Sequence, residues 1–199
     1  MNKIGFFGGS FNPPTNAHIN LARQIVDECN LDKLVFVPIG DFYKKNELIE
    51  FRHRYNMLSI ICNLNEKLEV SDIESNQQTN LYAIDIFKII KEKHINDDVY
   101  YIMGSDNLKK IKKWKDYDEL VAKYKYIILE REKNVFQDII KNNDTIKQNI
   151  ENYNVVSNYI YNDISSSLVR EKIRKNMDIS KLIPKEIEEY INENNLYKK

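Results

Sequence analysis

Apolar and polar positions follow two different periods along this chain. Residues 4–7, 34–38, 99–103 and 124–129 are short apolar runs with the length of buried β-strands. Between them apolar residues recur three and four apart, the spacing of a helix with one buried face. Residues 16–29 are one such stretch. In residues 51–64, Tyr55, Leu58, Ile61 and Cys62 can share a face, and in residues 81–94 Leu81, Ile84, Phe87 or Ile86, and Ile90 recur at helical spacing. Residues 67–71 predict a further strand, residues 117–122 a short helix, and Val155-Val156 a last strand. Strands alternating with helices predict βαβ units and a parallel sheet, a Rossmann-like α/β fold flanked by helices. Residues 165–175 and 184–194 read as two closing helices. Pro184 suits a first helical turn, as do the acids that follow it. One domain over 1–199 is expected, with a core over about 1–160 and a helical part over 161–199.

Ligands of open parallel sheets bind beyond the carboxyl ends of the strands. Two polar segments fall at such ends. The first strand runs into Gly8-Gly9-Ser10-Phe11, and the strand at 99–103 runs into Gly104-Ser105-Asp106. A strand ending in Gly-Gly lets backbone approach a ligand closely. N–H groups that follow, with a helix N-terminus nearby, can cradle phosphate. Thr15 and His18 lie three apart and share a helical face. A phosphate there would meet a hydroxyl and an imidazole together. By itself a Gly-Gly-Ser turn is more often a plain loop, with His18 on the helix surface. In the last quarter, Ser165, Ser166 and Ser167 stand at a helix start, where serines cap free N–H groups and also suit phosphate oxygens. Arg170 points back over the same end and can hold phosphate in its planar fork. Alone, that string is also compatible with a capped helix and a solvated arginine.

Composition narrows the partners. The chain has 199 residues, with thirty basic and thirty acidic side chains, so bulk charge makes no case for nucleic acid or membrane binding. Any anion site must be built locally. Cys29 and Cys62 form no CxxC pair and read as reduced buried thiols. No metal-ligand cluster is visible. The N-terminus lacks the pattern of a signal peptide and no run has the length of a membrane span, so a cytoplasmic protein is expected. A homo-oligomer is left open.

The segment Gly8 to His18 resembles the signature of the nucleotidylyltransferase superfamily, whose [TH]-x-x-H motif reads Thr15-Asn16-Ala17-His18 here. Ile164-Ser165-Ser166-Ser167-Leu168-Val169-Arg170 resembles its ISSTxxR motif, with Ser167 in place of Thr. Gly40-Asp41-Phe42-Tyr43-Lys44-Lys45 and Gly104-Ser105-Asp106-Asn107-Leu108 with Trp114 resemble the GDxYxK and GxDxL…W stretches of the nicotinate and nicotinamide mononucleotide adenylyltransferases. The tail from Pro184 to Tyr197 is similar to that of the bacterial nicotinate enzymes.

The resemblance implies transfer of AMP from ATP to a pyridine mononucleotide, with release of pyrophosphate, in NAD biosynthesis. It implies catalytic roles for His18, Thr15 and Arg170. ATP would meet Gly8, Gly9, Ser10, Phe11, His18, Ser165, Ser166 and Arg170. The mononucleotide would meet Ser10, Tyr43, Lys45, Tyr82, Gly104, Asp106 and Trp114, the indole stacking on the pyridine. His53 and Arg54 are read as structural. Mg²⁺ is expected to ride on the triphosphate, without a carboxylate cage. Tyr82-Ala83-Ile84-Asp85 stands where bacterial members show Tyr-Thr-x-Asp-Thr. Ala83 lacks that hydroxyl, so the choice between nicotinate and nicotinamide stays open at this point. A pantetheine-phosphate or polyol-phosphate nucleotidyltransferase, and a nucleotide sensor without turnover, are the other readings.

Overall fold

The apolar runs become the strands of one parallel sheet in the computed structural model. It describes residues 1–43, 47–75, 81–130, 132, 134–157, 159 and 163–198. The strands are β1 (Lys3–Gly9), β2 (Lys33–Pro38), β3 (Leu68–Val70), β4 (Asp98–Gly104), β5 (Lys125–Leu129) and β6 (Tyr153–Val156). Their order across the sheet is β3-β2-β1-β4-β5-β6, and every pairing is parallel. The order reverses between β1 and β4. Chain leaving β1 turns to one side of that line and chain leaving β4 turns to the other. This opens a crevice at their carboxyl ends, where the two Gly-containing segments lie.

Helices cover both faces. On one side lie α1 (Asn16–Glu28), α2 (Phe51–Cys62), α8 (Ser166–Arg174) and α9 (Lys185–Glu193). On the other lie α3 (Ala83–Lys93), α4 (Ser105–Leu108), α5 (Tyr117–Lys123), α6 (Val135–Lys141) and α7 (Asp144–Gln148). Successive strand residues point to opposite faces, and β5 shows it. Ile127 and Leu129 join the core with Ala22, Ile25 and Ile187, whereas Tyr126 and Ile128 join the core with Phe87, Leu120 and Ile146. Val169 of α8 and Ile187 and Ile191 of α9 are buried in the same core as α1 and α2. No helix among the described residues is long and apolar enough to cross a membrane.

The predicted elements occur with shifted ends, and several short ones were not predicted. The β3 strand is three residues long, shorter than the span 67–71. The β6 strand begins at Tyr153, two residues before the apolar pair. The helices α6 and α7 have seven and five residues and lie among Asn and Lys. At that length a helix shows too few repeats for a period to register.

Candidate active site

The loop after β1 is built around Phe11. Its backbone is left-handed, with φ of 46°, and its side chain is only 2% exposed. The ring packs edge-on against Phe7, Phe36 and His18. It also lies where a Cβ on Gly9 would be, 2.9 Å from that position. The second glycine of the motif thus makes room for the chain's own aromatic ring. Phe11 was expected to contact ATP. With its side chain buried, only its backbone is left for that.

Thr15 ends the loop as the N-cap of α1, in extended conformation, and its side chain is fully buried. His18 sits three residues on. The Thr15 N–H donates to His18 Nδ1 at 3.1 Å, and the Thr15 hydroxyl lies 2.7 Å from the same nitrogen. The imidazole therefore plays the part that Glu or Gln plays in a capping box. With Nδ1 accepting, the neutral ring carries its proton on Nε2. Burial pushes the imidazolium pKa down to about 4, so the ring is neutral at pH 7. Thr15 was expected to hold phosphate. The structure turns it inward, where it orients His18.

The second segment docks on the first. Ser165 caps α8, its hydroxyl accepting from the Leu168 N–H at 3.2 Å, and is itself exposed. The Ser166 hydroxyl donates to the Pro13 carbonyl at 2.8 Å. Arg170 donates through Nη1 to the Asn12 carbonyl at 2.8 Å and through Nη2 to Glu47 at 3.0 Å. Two segments about 150 positions apart in sequence are thus joined by two direct hydrogen bonds.

Asn12 is the hinge of this arrangement, and sequence reading passed over it. Its side-chain amide donates to the Glu47 carbonyl at 2.7 Å. Its Oδ1 accepts from Tyr197 at 2.9 Å, which ties the end of the chain to the loop after β1. Arg54 is a second support. Its side chain is 0% exposed, and it donates to the carbonyls of Ser10 and Ile49 and to the Asp41 carboxylate. Asp41 also accepts from the Phe51 N–H at 2.6 Å, at the first residue of α2.

Beside these groups, on the β4 side, opens a cleft of about 740 Å³. Gly8, Gly9 and Ser10 form one wall, and Tyr43, Tyr82 and Trp114 stand among the others. The Tyr43 hydroxyl donates to the Leu81 carbonyl at 2.7 Å. The exposed Tyr82 ring has Lys115 Nζ at 4.8 Å from its centre. Trp114 follows a 3₁₀ turn at Ile111–Lys113 and is partly buried, one part of it packing on the α3–α5 core. Glu74 is a lining residue that sequence reading did not select. It is 4% exposed, its carboxylate accepts from the Gly40 N–H at 3.0 Å, and burial pushes its pKa up. Gly104 and Asp106 are placed less directly. Gly104 precedes α4 and Asp106 is exposed in its first turn, and neither lines this cleft. Lys45 lies outside the described residues.

This arrangement joins two chemistries at the switch point of the sheet. One end offers a neutral imidazole, capped serines and an arginine, which suit phosphate oxygens. The other is a roomy cleft with an indole and two phenols, which suits a flat ring.

The cytidylyltransferase-like family model matches residues 6–172. The chain is 30% identical to a probable nicotinate-nucleotide adenylyltransferase of Clostridium novyi (strain NT), with all of both chains covered. It is also similar to the structure of Plasmodium falciparum nicotinic acid mononucleotide adenylyltransferase complexed with NaAD. There the identity is 30%, the TM-score 0.78, and the match covers 99% of this chain and 98% of that one. The same Plasmodium protein complexed with APC matches with the same identity and coverage and a TM-score of 0.77. The family-model match over residues 6–172 and the full-length match at 30% identity, with a sheet of this order, place the chain in the cytidylyltransferase-like family, among the nicotinate-nucleotide adenylyltransferases.

Proposed function

We propose that this chain transfers AMP from ATP to nicotinate mononucleotide, forming nicotinate adenine dinucleotide and pyrophosphate. The observation that carries this reading is the docking of Ser166 and Arg170 onto the loop that holds His18. It brings two remote segments together, next to a cleft of about 740 Å³, and so supports reading them as one oxyanion site.

The reaction is a direct in-line displacement. A 5′-phosphate oxygen of the mononucleotide bonds to the α-phosphorus of ATP. The bond from that phosphorus to the bridging oxygen breaks, and pyrophosphate leaves with the electron pair. The attacking oxygen is already anionic at pH 7, so no strong base is needed. Catalysis rests on placement and on stabilising charge. His18 donates its Nε2 proton as a hydrogen bond to a phosphate oxygen. Arg170 and the N-terminus of α8, with Ser165 and Ser166, hold the triphosphate. Tyr43, Tyr82 and Trp114 receive the mononucleotide, with the indole on the pyridine. Lys45, Gly104 and Asp106 belong to the acceptor side in this reading, Asp106 for the ribose.

Mg²⁺ accompanies the triphosphate in the same reading. Among the described residues no three His, Cys, Asp or Glu side chains converge to hold a metal. Phosphate and water oxygens would then supply its ligands, as Mg²⁺ commonly allows. The substrates are small and soluble, and we place the reaction in the cytoplasm.

Nicotinamide mononucleotide is the second acceptor, on one observation. Glu74 is among the residues that line the cleft, and a carboxamide would meet an acidic side chain with less repulsion than nicotinate would. One assay decides. Purified protein with ATP and Mg²⁺ is offered nicotinate mononucleotide, nicotinamide mononucleotide and phosphopantetheine separately, and pyrophosphate is followed. Release is expected with nicotinate mononucleotide foremost. No release with either pyridine substrate would refute the reading.

A further inference from the structure

The Glu47 carboxylate bonds Arg170, the arginine to which the proposed reaction assigns phosphate. Its Oε2 accepts from Arg170 Nε at 3.2 Å and Nη2 at 3.0 Å. Its Oε1 accepts from Arg174 Nη2 at 2.5 Å. The two arginines are four residues apart on α8, so they project from the same face. Two guanidinium groups this close repel unless an anion lies between them. Glu47 is that anion.

The Glu47 carbonyl is tied to Asn12, while its side chain is exposed enough to move. Residue 47 is left-handed, with φ of 63°, and its carbonyl accepts from the Asn12 side chain. Its side chain is 46% exposed, so water can take over the carboxylate once it swings out. A carboxylate bridging two arginines, one oxygen on each, has the charge and reach of part of a polyphosphate. Arg170 also bonds the Asn12 carbonyl, so the Glu47 fork adjoins the loop after β1.

We propose that Arg174 is a second cation for the β- and γ-phosphates, beside Arg170, and that Glu47 is an internal competitor for both. This rests on the nucleotidyl-transfer reading above. Arriving triphosphate displaces the Glu47 carboxylate from the fork. After transfer, Glu47 returns and assists departure of pyrophosphate. The device weakens polyphosphate binding in exchange for release of the product.

Titration calorimetry with inorganic pyrophosphate tests this on wild type, Glu47→Gln, Arg174→Gln and the double variant, at fixed ionic strength. Glu47→Gln should bind pyrophosphate about five-fold more tightly, near the upper limit for an exposed ion pair. Arg174→Gln should bind it roughly ten-fold more weakly, as loss of a charge-assisted contact does. In the double variant the gain from Glu47→Gln should shrink, because one of its two partners is gone. KM for the mononucleotide should stay the same in all four.

Thermal unfolding separates misfolding from a true effect. Unchanged or weaker pyrophosphate binding in a folded Glu47→Gln protein overturns the proposal, provided that wild type turns over. Wild type that neither binds pyrophosphate nor turns over removes the nucleotidyl-transfer reading as well. Glu47→Asp keeps the charge on a shorter arm and should remain close to wild type. A large gain in affinity there would count against competition by charge.

Discussion

Thr15 and His18 form a closed pair, the backbone N–H of one and its hydroxyl both directed at Nδ1 of the other. The pair sits at the first turn of α1, so the cap of the helix and the orientation of the imidazole are one structure. His18→Ala should lower kcat by about 100-fold or more while the protein stays folded, within the range for a positioned donor of this kind. Thr15→Val should leave His18 present but misaligned, and lower kcat roughly ten-fold. Steady-state kinetics beside circular dichroism checks both. Near-normal turnover in His18→Ala would remove the imidazole from the mechanism.

The same pair sets a pH dependence of stability. Folding lowers the His18 pKa from 6.5 to about 4 through burial. Between those two values the unfolded chain binds more protons than the folded one, so stability rises with pH across the window. The contribution is complete above pH 6.5 and is lost progressively as pH falls toward 4, by at most about 3 kcal/mol. Urea unfolding at pH 7, 6 and 5 should show this slope in wild type and a smaller one in His18→Ala. Equal slopes would rule out His18 as the source.

Trp114 joins the core on one side and the cleft on the other. Trp114→Ala should raise KM for the mononucleotide far more than KM for ATP. An equal rise for both would mean that the indole supports the whole site rather than stacking on the pyridine.

Arg54 is a buried cation whose donors go to two carbonyls and one carboxylate. Arg54→Met removes the charge and leaves the Ser10 and Ile49 carbonyls without that donor. Breaking such a set commonly costs about 3–5 kcal/mol. Denaturant unfolding should show a loss of that order, and a loss below about 1 kcal/mol would mean that water replaces the guanidinium.

Gly40 ends the stretch after β2, and a Cβ there would lie 2.7 Å from the Glu74 backbone carbonyl. Backbone cannot move aside as a flexible side chain can. Gly40→Ala should destabilise by about 1–3 kcal/mol and weaken the Glu74 contact with the Gly40 N–H. A shift in the acceptor KM measured alongside the unfolding midpoint would report that second effect.

Local patterning in the chain determined the helices and strands that carry a full period, and from their alternation the parallel sheet. Strands β1, β2, β4 and β5 were legible because buried parallel strands are unbroken apolar runs. The string from Gly8 to His18 stood out through its resemblance to a family signature, because turn and cap chemistry by itself left a plain loop open. Arg54, read as mainly structural, has a buried guanidinium whose donors go to the Ser10 and Ile49 carbonyls and the Asp41 carboxylate. The helices α6 and α7 were not legible, being too short to repeat a period.

The tertiary structure alone decided which side chains turn inward and which remote groups meet. Thr15 and Phe11 look like ligand contacts in a linear motif, and folding turns both side chains inward. Asn12, Glu47 and Glu74 carry no motif of their own. Their partners are Tyr197, Arg170, Arg174 and Gly40, between 34 and 185 positions away. Contacts at such separations are made only when the sheet order brings chain ends and loops together. A period of two or of 3.6 residues holds no information about them.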